Sequence, residues 1–350
     1  MRSLQPLRSK TRRAMRALNE PGMMGHAEYG GRVLISGAAG FVGRHLCAEL
    51  VRGGHGVRAL VRGAGPCGLG ANVIEIPVGD LLAVGDWKPI MAGVDTVVHL
   101  AGRAHVMRES RSLAKQLYVR NNFEVTRSIT QAAIESGVRR MIFVSTLKVF
   151  GEGPFGAPLR PTDDPVPSDD YGWSKLDAER WLRSLHDRGL LEVAIVRPPL
   201  VYGPGVRGNF RRLLDWVHSG VCLPLAHATN LRSLVSVWNL NDLLMRIIEA
   251  PRGGNGLWHV SDGEDCSTSC LIRELCSHMG KPVRLFSIRP GLVRFALTAV
   301  GRRREYGRLM DSMQLDISRT VEVLGWRPPL SRMTGLARTV AWYLDLIGRA

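Results

Sequence analysis

The chain has 350 residues, 45% hydrophobic and 22% charged, the balance of a globular protein with room for one large domain or two unequal ones. Its 47 basic and 31 acidic side chains leave a net charge of +16, which points to anionic partners: nucleic acid, acidic lipid or phosphorylated small molecules. No helix-turn-helix, zinc pattern or aromatic-interleaved basic surface is present, none of the six cysteines forms a CxxC pair, and no run of 18 apolar residues occurs. These absences argue against nucleic-acid binding, a metal site and a transmembrane helix, and favour a cytoplasmic protein with reduced thiols.

Residues 1–29 read as a disordered basic tail; the first sixteen hold six basic residues and no acid, and lack the apolar stretch of a signal peptide. Met23 and Met24 offer a later start. Arg32–Ser36 reads as a buried strand, followed by Gly37-Ala38-Ala39-Gly40-Phe41-Val42-Gly43 and a helix over 44–52. A strand, a glycine turn and a helix open a dinucleotide-binding unit, here with GxxGxxG spacing. Gly37 allows the tight turn, and Gly40 lets backbone approach a pyrophosphate seated on the helix N-terminus.

The next strand, 57–61, ends in Arg62, nineteen residues beyond Gly43. An acid there would bind a ribose 2′-hydroxyl, whereas an arginine accommodates a 2′-phosphate, so NADP(H) is favoured over NAD(H). The alternative is a solvated loop arginine and NAD. Strands follow at 73–80, ending in Asp80, and at 95–102, where His99 reads as a satisfied core histidine. A helix over 113–136 carries Asn121 and Asn122, locally unfavourable inside a helix. They hint at a role, although solvated helix surface is the simpler account.

A fifth strand, 141–146, ends in Ser145 and Thr146; Tyr171-Gly172-Trp173-Ser174-Lys175 then starts a helix capped by Ser168, Asp169 or Asp170. Tyr171 and Lys175 share a helix face. An ammonium beside a phenol of pKa about 10 lowers it toward the range of a general acid/base. A Tyr-x-x-x-Lys pair alone is a weak signal; its place after a dinucleotide-binding pattern gives it weight.

Residues 191–197 form a sixth strand and 198–205 a turn-rich loop. A helix over 209–219, a strand over 233–237, a helix capped by Asn239-Leu240-Asn241-Asp242 and a strand at 258–260 come next. Helices at 266–279, 291–300 and 333–347 complete the chain. The pattern predicts an α/β fold, a Rossmann-like doubly wound parallel sheet with a smaller, mainly C-terminal substrate-binding lobe. Its expected parts are the tail 1–29, a dinucleotide domain 30–200 that also receives parts of 230–262, and a substrate lobe of 201–229 and 263–350.

The ordered set GAAGFVG (37–43), GD (79–80), HLAG (99–102), NN (121–122), VSTLKVFG (144–151), YGWSK (171–175), RPPLVYGPG (197–205) and LGWRP (324–328) resembles the extended short-chain dehydrogenases/reductases of the NAD-dependent epimerase/dehydratase group. HVMRES (105–110) and the segment 199–217 are most similar to 4-reductases of nucleotide-linked 4-keto-6-deoxy-hexosamines, the quinovosamine type. The resemblance implies Tyr171 as general acid, Lys175 lowering its pKa and holding the nicotinamide ribose, and Thr146 on the sugar 4-oxygen. It implies Gly37, Gly40, Phe41, Val42 and Gly43 at the pyrophosphate, Asp80 and Leu81 at the adenine, and Arg62, Leu100, Ala101, Gly102, Asn122 and Pro198 as further cofactor contacts. Asn209 and Arg232 would contact the substrate diphosphate. A homodimer through two long helices beside the sheet is common in the family.

Two departures narrow the chemistry. Dehydratases of the group carry Asp-Glu directly after the threonine, where this chain has Leu147 and Lys148. Many epimerases carry an asparagine near the position of Leu200. The expected activity is NAD(P)H-dependent reduction of a UDP-linked 4-keto-6-deoxy-N-acetylhexosamine for surface polysaccharide synthesis. The alternatives are a UDP-hexose or UDP-N-acetylhexosamine 4-epimerase and a non-catalytic NAD(P)-binding sensor.

Overall fold

The computed structural model describes residues 32–63, 65–104, 111–153, 155–226, 228–250, 254–287 and 311–349. The tail 1–29, the segment HVMRES, the helix expected at 291–300 and Arg302-Arg303-Arg304 lie outside them.

Six apolar runs become the strands β1 (Arg32–Ser36), β2 (Gly56–Val61), β3 (Val73–Pro77), β4 (Thr96–His99), β5 (Arg140–Val144) and β6 (Glu192–Arg197). Near-continuous apolar strands suit a sheet covered on both faces. Val33, Leu34 and Ile35 of β1, and Met141, Ile142 and Phe143 of β5, are at most 1% exposed. The strands pair in parallel, and with β9 (Gly256–His259) they form a seven-stranded sheet ordered β3-β2-β1-β4-β5-β6-β9. Ser36 registers with both Leu60 and His99, so the carboxyl ends of β1, β2 and β4 lie side by side. In such sheets ligands bind at that edge, where the strand order reverses between β1 and β4.

The α-helices among the described residues are α1 (Phe41–Arg52), α2 (Lys88–Met91), α3 (Arg111–Tyr118), α4 (Val125–Glu135), α5 (Asp170–Asp187), α6 (Gly208–Ser219), α7 (Val237–Glu249), α8 (Thr268–His278), α9 (Ser318–Leu324) and α10 (Arg332–Gly348). The sheet's core joins Leu34, Leu60, Ile76, Val97, Phe143 and Ile195 to Ile129 and Ala133 of α4 and Leu182 of α5. Burying each large aliphatic or aromatic side chain contributes about 1.5–3 kcal/mol.

The chain divides into two compact units. Of the described residues, the first holds those up to Thr146, in Asp169–Val196 and in Leu244–Leu257; the second holds those in Leu147–Ser168, in Arg197–Leu243 and from Trp258 onward. The sequence placed 147–168 with the dinucleotide domain. Here Leu159 bridges to Leu315, its N–H donating to Gln314 O at 2.8 Å, which ties the segment to the second unit.

Three local expectations change. The turn-rich loop after β6 contains a strand, β7 (Leu200–Tyr202), paired in parallel with β8 (Leu234–Ser236). Asn239 does not cap the following helix but lies inside α7, whose start is held by Ser236 Oγ accepting from Asn239 N at 3.2 Å. Asn239 is fully buried; its Nδ2 donates to Asp262 at 2.7 Å and to Leu330 O at 2.8 Å. The helix expected over 113–136 is interrupted by a π-helical turn, Val119–Glu124, between α3 and α4.

Candidate active site

The end of β5 and the start of α5 build the site. Asp169 caps α5, its Oδ1 accepting from Gly172 N at 2.7 Å. This fixes Tyr171 in the first turn and Lys175 one turn on. Three consecutive residues at the end of β5 each hold one residue of α5. The Tyr171 hydroxyl is hydrogen-bonded to Thr146. Lys175 Nζ donates to Val144 O at 2.7 Å. Ser145 Oγ donates to Glu179. Lys175 and Glu179 are 4% and 1% exposed, while Thr146 and Tyr171 are partly buried.

Burial dominates the electrostatics. It pushes the Tyr171 phenol up to about 12, against the Thr146 hydrogen bond; Asp169 and Tyr118 push in the same direction as burial. It pushes the Lys175 ammonium down to about 7, and the Glu179 carboxylate opposes that fall. The sequence reading had Lys175 lowering Tyr171. In this structure Lys175 is not among the groups that set the Tyr171 phenol, and the loss of water favours the neutral form of both.

The π turn supplies a third wall. Asn122 is 1% exposed, so it is not solvated helix surface. Its Oδ1 accepts from Arg103 N at 2.7 Å, and its Nδ2 donates to Arg103 O at 3.2 Å and Ser174 Oγ at 2.9 Å. One side chain thus joins the loop after β4 to the start of α5. Asn121 instead donates to Leu117 O of α3 at 2.7 Å. Thr126 Oγ1 donates to Asn122 O at 2.5 Å and lies 3.0 Å from His99 Nε2, whose other ring nitrogen lies 2.5 Å from Ser36 Oγ. His99 is the satisfied core histidine expected, and burial pushes it down to about 3.

The glycine turn fits a dinucleotide diphosphate. Gly37 has φ +73°, and a Cβ there would lie 2.7 Å from Ala101 N and 2.9 Å from Leu100 C. A Cβ on Gly43 would lie 2.4 Å from Gly37 O. These two glycines let α1 and the β4 end close around the turn. Gly40 caps α1 from an exposed position, with no side chain bonded to the helix start and no acid in the first turn. The first-turn N–H groups of α1, Phe41 and Val42 among them, therefore have no side-chain cap, and they lie at the positive end of the helix dipole. Gly102 is exposed; a Cβ there would lie 3.3 Å from Asn122 Oδ1 and 3.9 Å from Lys175 Nζ.

The other predicted residues divide. Arg62 is exposed, one residue past β2. Asp80 is exposed, accepts from Leu82 N at 3.0 Å and pairs with Arg120 at 2.6 Å, while Leu81 packs on the sheet's core. Within the second unit, Pro198 is buried and its carbonyl accepts from Leu147 N at 3.0 Å. Asn209 is exposed in the first turn of α6. Arg232 is partly buried and donates to Asp311 O at 2.9 Å. The sequence reading missed Ser145, Ser174 and Glu179. Glu179 carried a signal: an acid four residues after Lys175, between the apolar Ala178 and Leu182, belongs to the inner face of α5. Among the described residues no three His, Cys, Asp or Glu side chains group as metal ligands, and no helix is long and apolar enough to cross a membrane.

Known proteins are similar to this chain in sequence and fold. The profile of the NAD dependent epimerase/dehydratase family matches residues 33–260. A UDP-glucose 4-epimerase of Vibrio cholerae is 38% identical over 320 residues, covering 91% of this chain and 97% of its own. An N-acetyl-α-D-glucosaminyl-diphospho-ditrans,octacis-undecaprenol 4-epimerase of Escherichia coli O157:H7 is 27% identical, covering 72% and 73%. Among solved structures, MoeE5 in complex with UDP-glucuronic acid and NAD superposes with a TM-score of 0.73 at 27% identity, covering 90% of this chain and all of the other. The dTDP-glucose 4,6-dehydratase DesIV of Streptomyces venezuelae, with NAD bound, gives 0.72 at 25% identity, covering 91% and 98%. A match of this length, on a sheet and turn built as described, means that the chain belongs to the NAD-dependent epimerase/dehydratase family.

Proposed function

We propose that this protein is an NAD-dependent 4-epimerase of a UDP-linked hexose or N-acetylhexosamine, serving surface polysaccharide synthesis. The observation that carries the reading is the Tyr171–Thr146 hydrogen bond with Lys175 one turn along the same buried helix face. The 38% identical relative named as a UDP-glucose 4-epimerase supports it, as do UDP-sugars and NAD in solved neighbours at 26–27% identity.

Gly37, Gly40 and Gly43, with the start of α1, would hold the diphosphate of the cofactor, and Lys175 and Asn122 would face its nicotinamide end. Bound NAD supplies the acceptor and donor for the C4 hydrogen. Tyr171 takes the proton from the C4 hydroxyl and returns it to the C4 oxygen, and Thr146 holds that oxygen in line. A charged Lys175 stabilises the phenolate formed in the first half of the cycle. Leu147 and Lys148 provide no carboxyl pair, so 4,6-elimination is not part of the activity. Asn209 and Arg232 are the residues we assign to the substrate diphosphate.

Reduction of a UDP-linked 4-keto-6-deoxy-N-acetylhexosamine is the second reading. The similarity of 199–217 to that class, with Leu200 where many epimerases carry asparagine, favours it. Purified protein that retains oxidised NAD and interconverts UDP-GlcNAc and UDP-GalNAc, or UDP-glucose and UDP-galactose, with nothing added supports the epimerase. Consumption of reduced cofactor one-for-one with a 4-keto substrate, with no epimerisation, supports the reductase. A protein that binds cofactor but does neither is the sensor.

The NAD named in the solved neighbours does not support the NADP(H) preference read from Arg62, and NAD is the cofactor proposed here. Single-turnover rates with NADH and NADPH, repeated on Arg62→Asp, test the choice. Light scattering of the purified protein tests the homodimer.

A further inference from the structure

Glu179 lies one turn beyond Lys175 on α5 and is 1% exposed. Leu176, Ala178 and Leu182 around it on the same helix are also buried, so an apolar residue would pack there without difficulty. Burying a carboxylate costs several kcal/mol unless charge and hydrogen bonding offset it. Two described groups contribute to that offset. Ser145 Oγ donates to Glu179, and Ser145 lies between Val144, which accepts from Lys175, and Thr146, which bonds Tyr171. The second group is Lys175 itself, whose cation Glu179 favours.

Among the described residues, the following titratable, polar and aromatic groups face Lys175. Tyr171 and Glu179 lie one turn to either side on α5. The end of β5 offers the Val144 carbonyl and the Phe143 ring, whose centre is 3.9 Å from Nζ. β4 contributes His99, which its burial keeps neutral. Among the described residues, Glu179 is the acid that acts on the lysine.

We propose that Glu179 is a positioning residue of this active site: buried one turn beyond Lys175 on α5, it accepts from Ser145 and so holds the end of β5, with Thr146, against the helix that carries Tyr171 and Lys175. It acts through Lys175 and Thr146 rather than on the sugar. The proposal rests on the reading that Tyr171, Lys175 and Thr146 carry C4 chemistry.

Glu179→Gln keeps an oxygen for Ser145 and the same volume while removing the charge. The alkaline limb of the kcat–pH profile should move down by about one pH unit, so that kcat at pH 8 falls about tenfold with KM changed less than threefold. Glu179→Asp restores the charge on a shorter arm and should return the limb to its wild-type position. A purely structural role would lower kcat at every pH alike. The second measurement needs no substrate or cofactor. Glu179→Gln should lower Tm at pH 7 when residue 175 is Lys, and should leave Tm unchanged or raise it in the Lys175→Met background, where the buried carboxylate has lost its cation. An unmoved pH limb, or an equal Tm loss in both backgrounds, overturns the proposal. If Glu179→Gln does not fold alone but folds with Lys175→Met, the coupling is shown in that form; if it folds in neither background, the charge is not coupled to Lys175 and the proposal fails. Full turnover by Tyr171→Phe would instead overturn the C4 reading, whatever the Tm comparison gives.

Discussion

Lys175 donates to the carbonyl oxygen of Val144 at 2.7 Å, from a position only 4% exposed. One carbonyl and a ring face do not replace the water an ammonium loses on burial, and its pKa falls from 10.5 to about 7. Between those two values the folded chain binds fewer protons than the unfolded chain, so this group's effect on stability becomes more favourable as pH rises. Lys175→Met, made together with Glu179→Gln so that no carboxylate is left buried without its cation, should therefore abolish turnover yet raise Tm. The gain should be largest below pH 7 and shrink toward pH 10.5, as read by scanning calorimetry in a pH series.

Tyr171→Phe removes the proton carrier and leaves the ring. Turnover should fall by about 10²–10⁴-fold with little change in KM. The lost hydrogen bond to Thr146 costs about 1 kcal/mol, so the Tm should move by only a few degrees.

The glycines of the turn should separate folding from binding. Gly37→Ala places a side chain at φ +73° and a Cβ 2.7 Å from Ala101 N, and should lower Tm by more than 10 °C or prevent folding. Gly40 has φ −77°, and a Cβ there meets Gly37 O at 3.0 Å. Gly40→Ala should fold within a few degrees of wild type but bind NAD at least tenfold more weakly, measured by fluorescence titration.

Asn122→Ala removes three hydrogen bonds that lead to Arg103 and Ser174. At about 0.5–1.5 kcal/mol each, the loss in stability should be about 2–4 kcal/mol. Hydrogen exchange at the Arg103 amide should quicken more than at amides of β1.

The parallel sheet was legible because each strand is a short apolar run bounded by turn residues, and the glycine turn announced β1 and α1. Tyr171 and Lys175 were legible from helical spacing and a capping acid. The rest depends on partners distant in the chain. Asn239 reads as a cap until Asp262 and Leu330 claim its side chain inside α7. Asn122 reads as surface until Arg103 and Ser174 do the same. The opposing pKa shifts at Tyr171 and Lys175 follow from burial, which the spacing of a motif does not express.

The π turn at Val119–Glu124 also fixes how this part of the chain tolerates change in length. A widened turn accommodates one residue more than an α-helix would over the same rise, and each residue turns a helix by about 100°. Deleting one residue between 119 and 124 would restore regular helix but rotate α3 about its axis relative to α4, carrying Leu117 and Tyr118 to another side. Most substitutions there alter one contact. A one-codon deletion would put every residue of α3 out of phase, so chain length at this point is under tighter constraint than the identity of most of its residues.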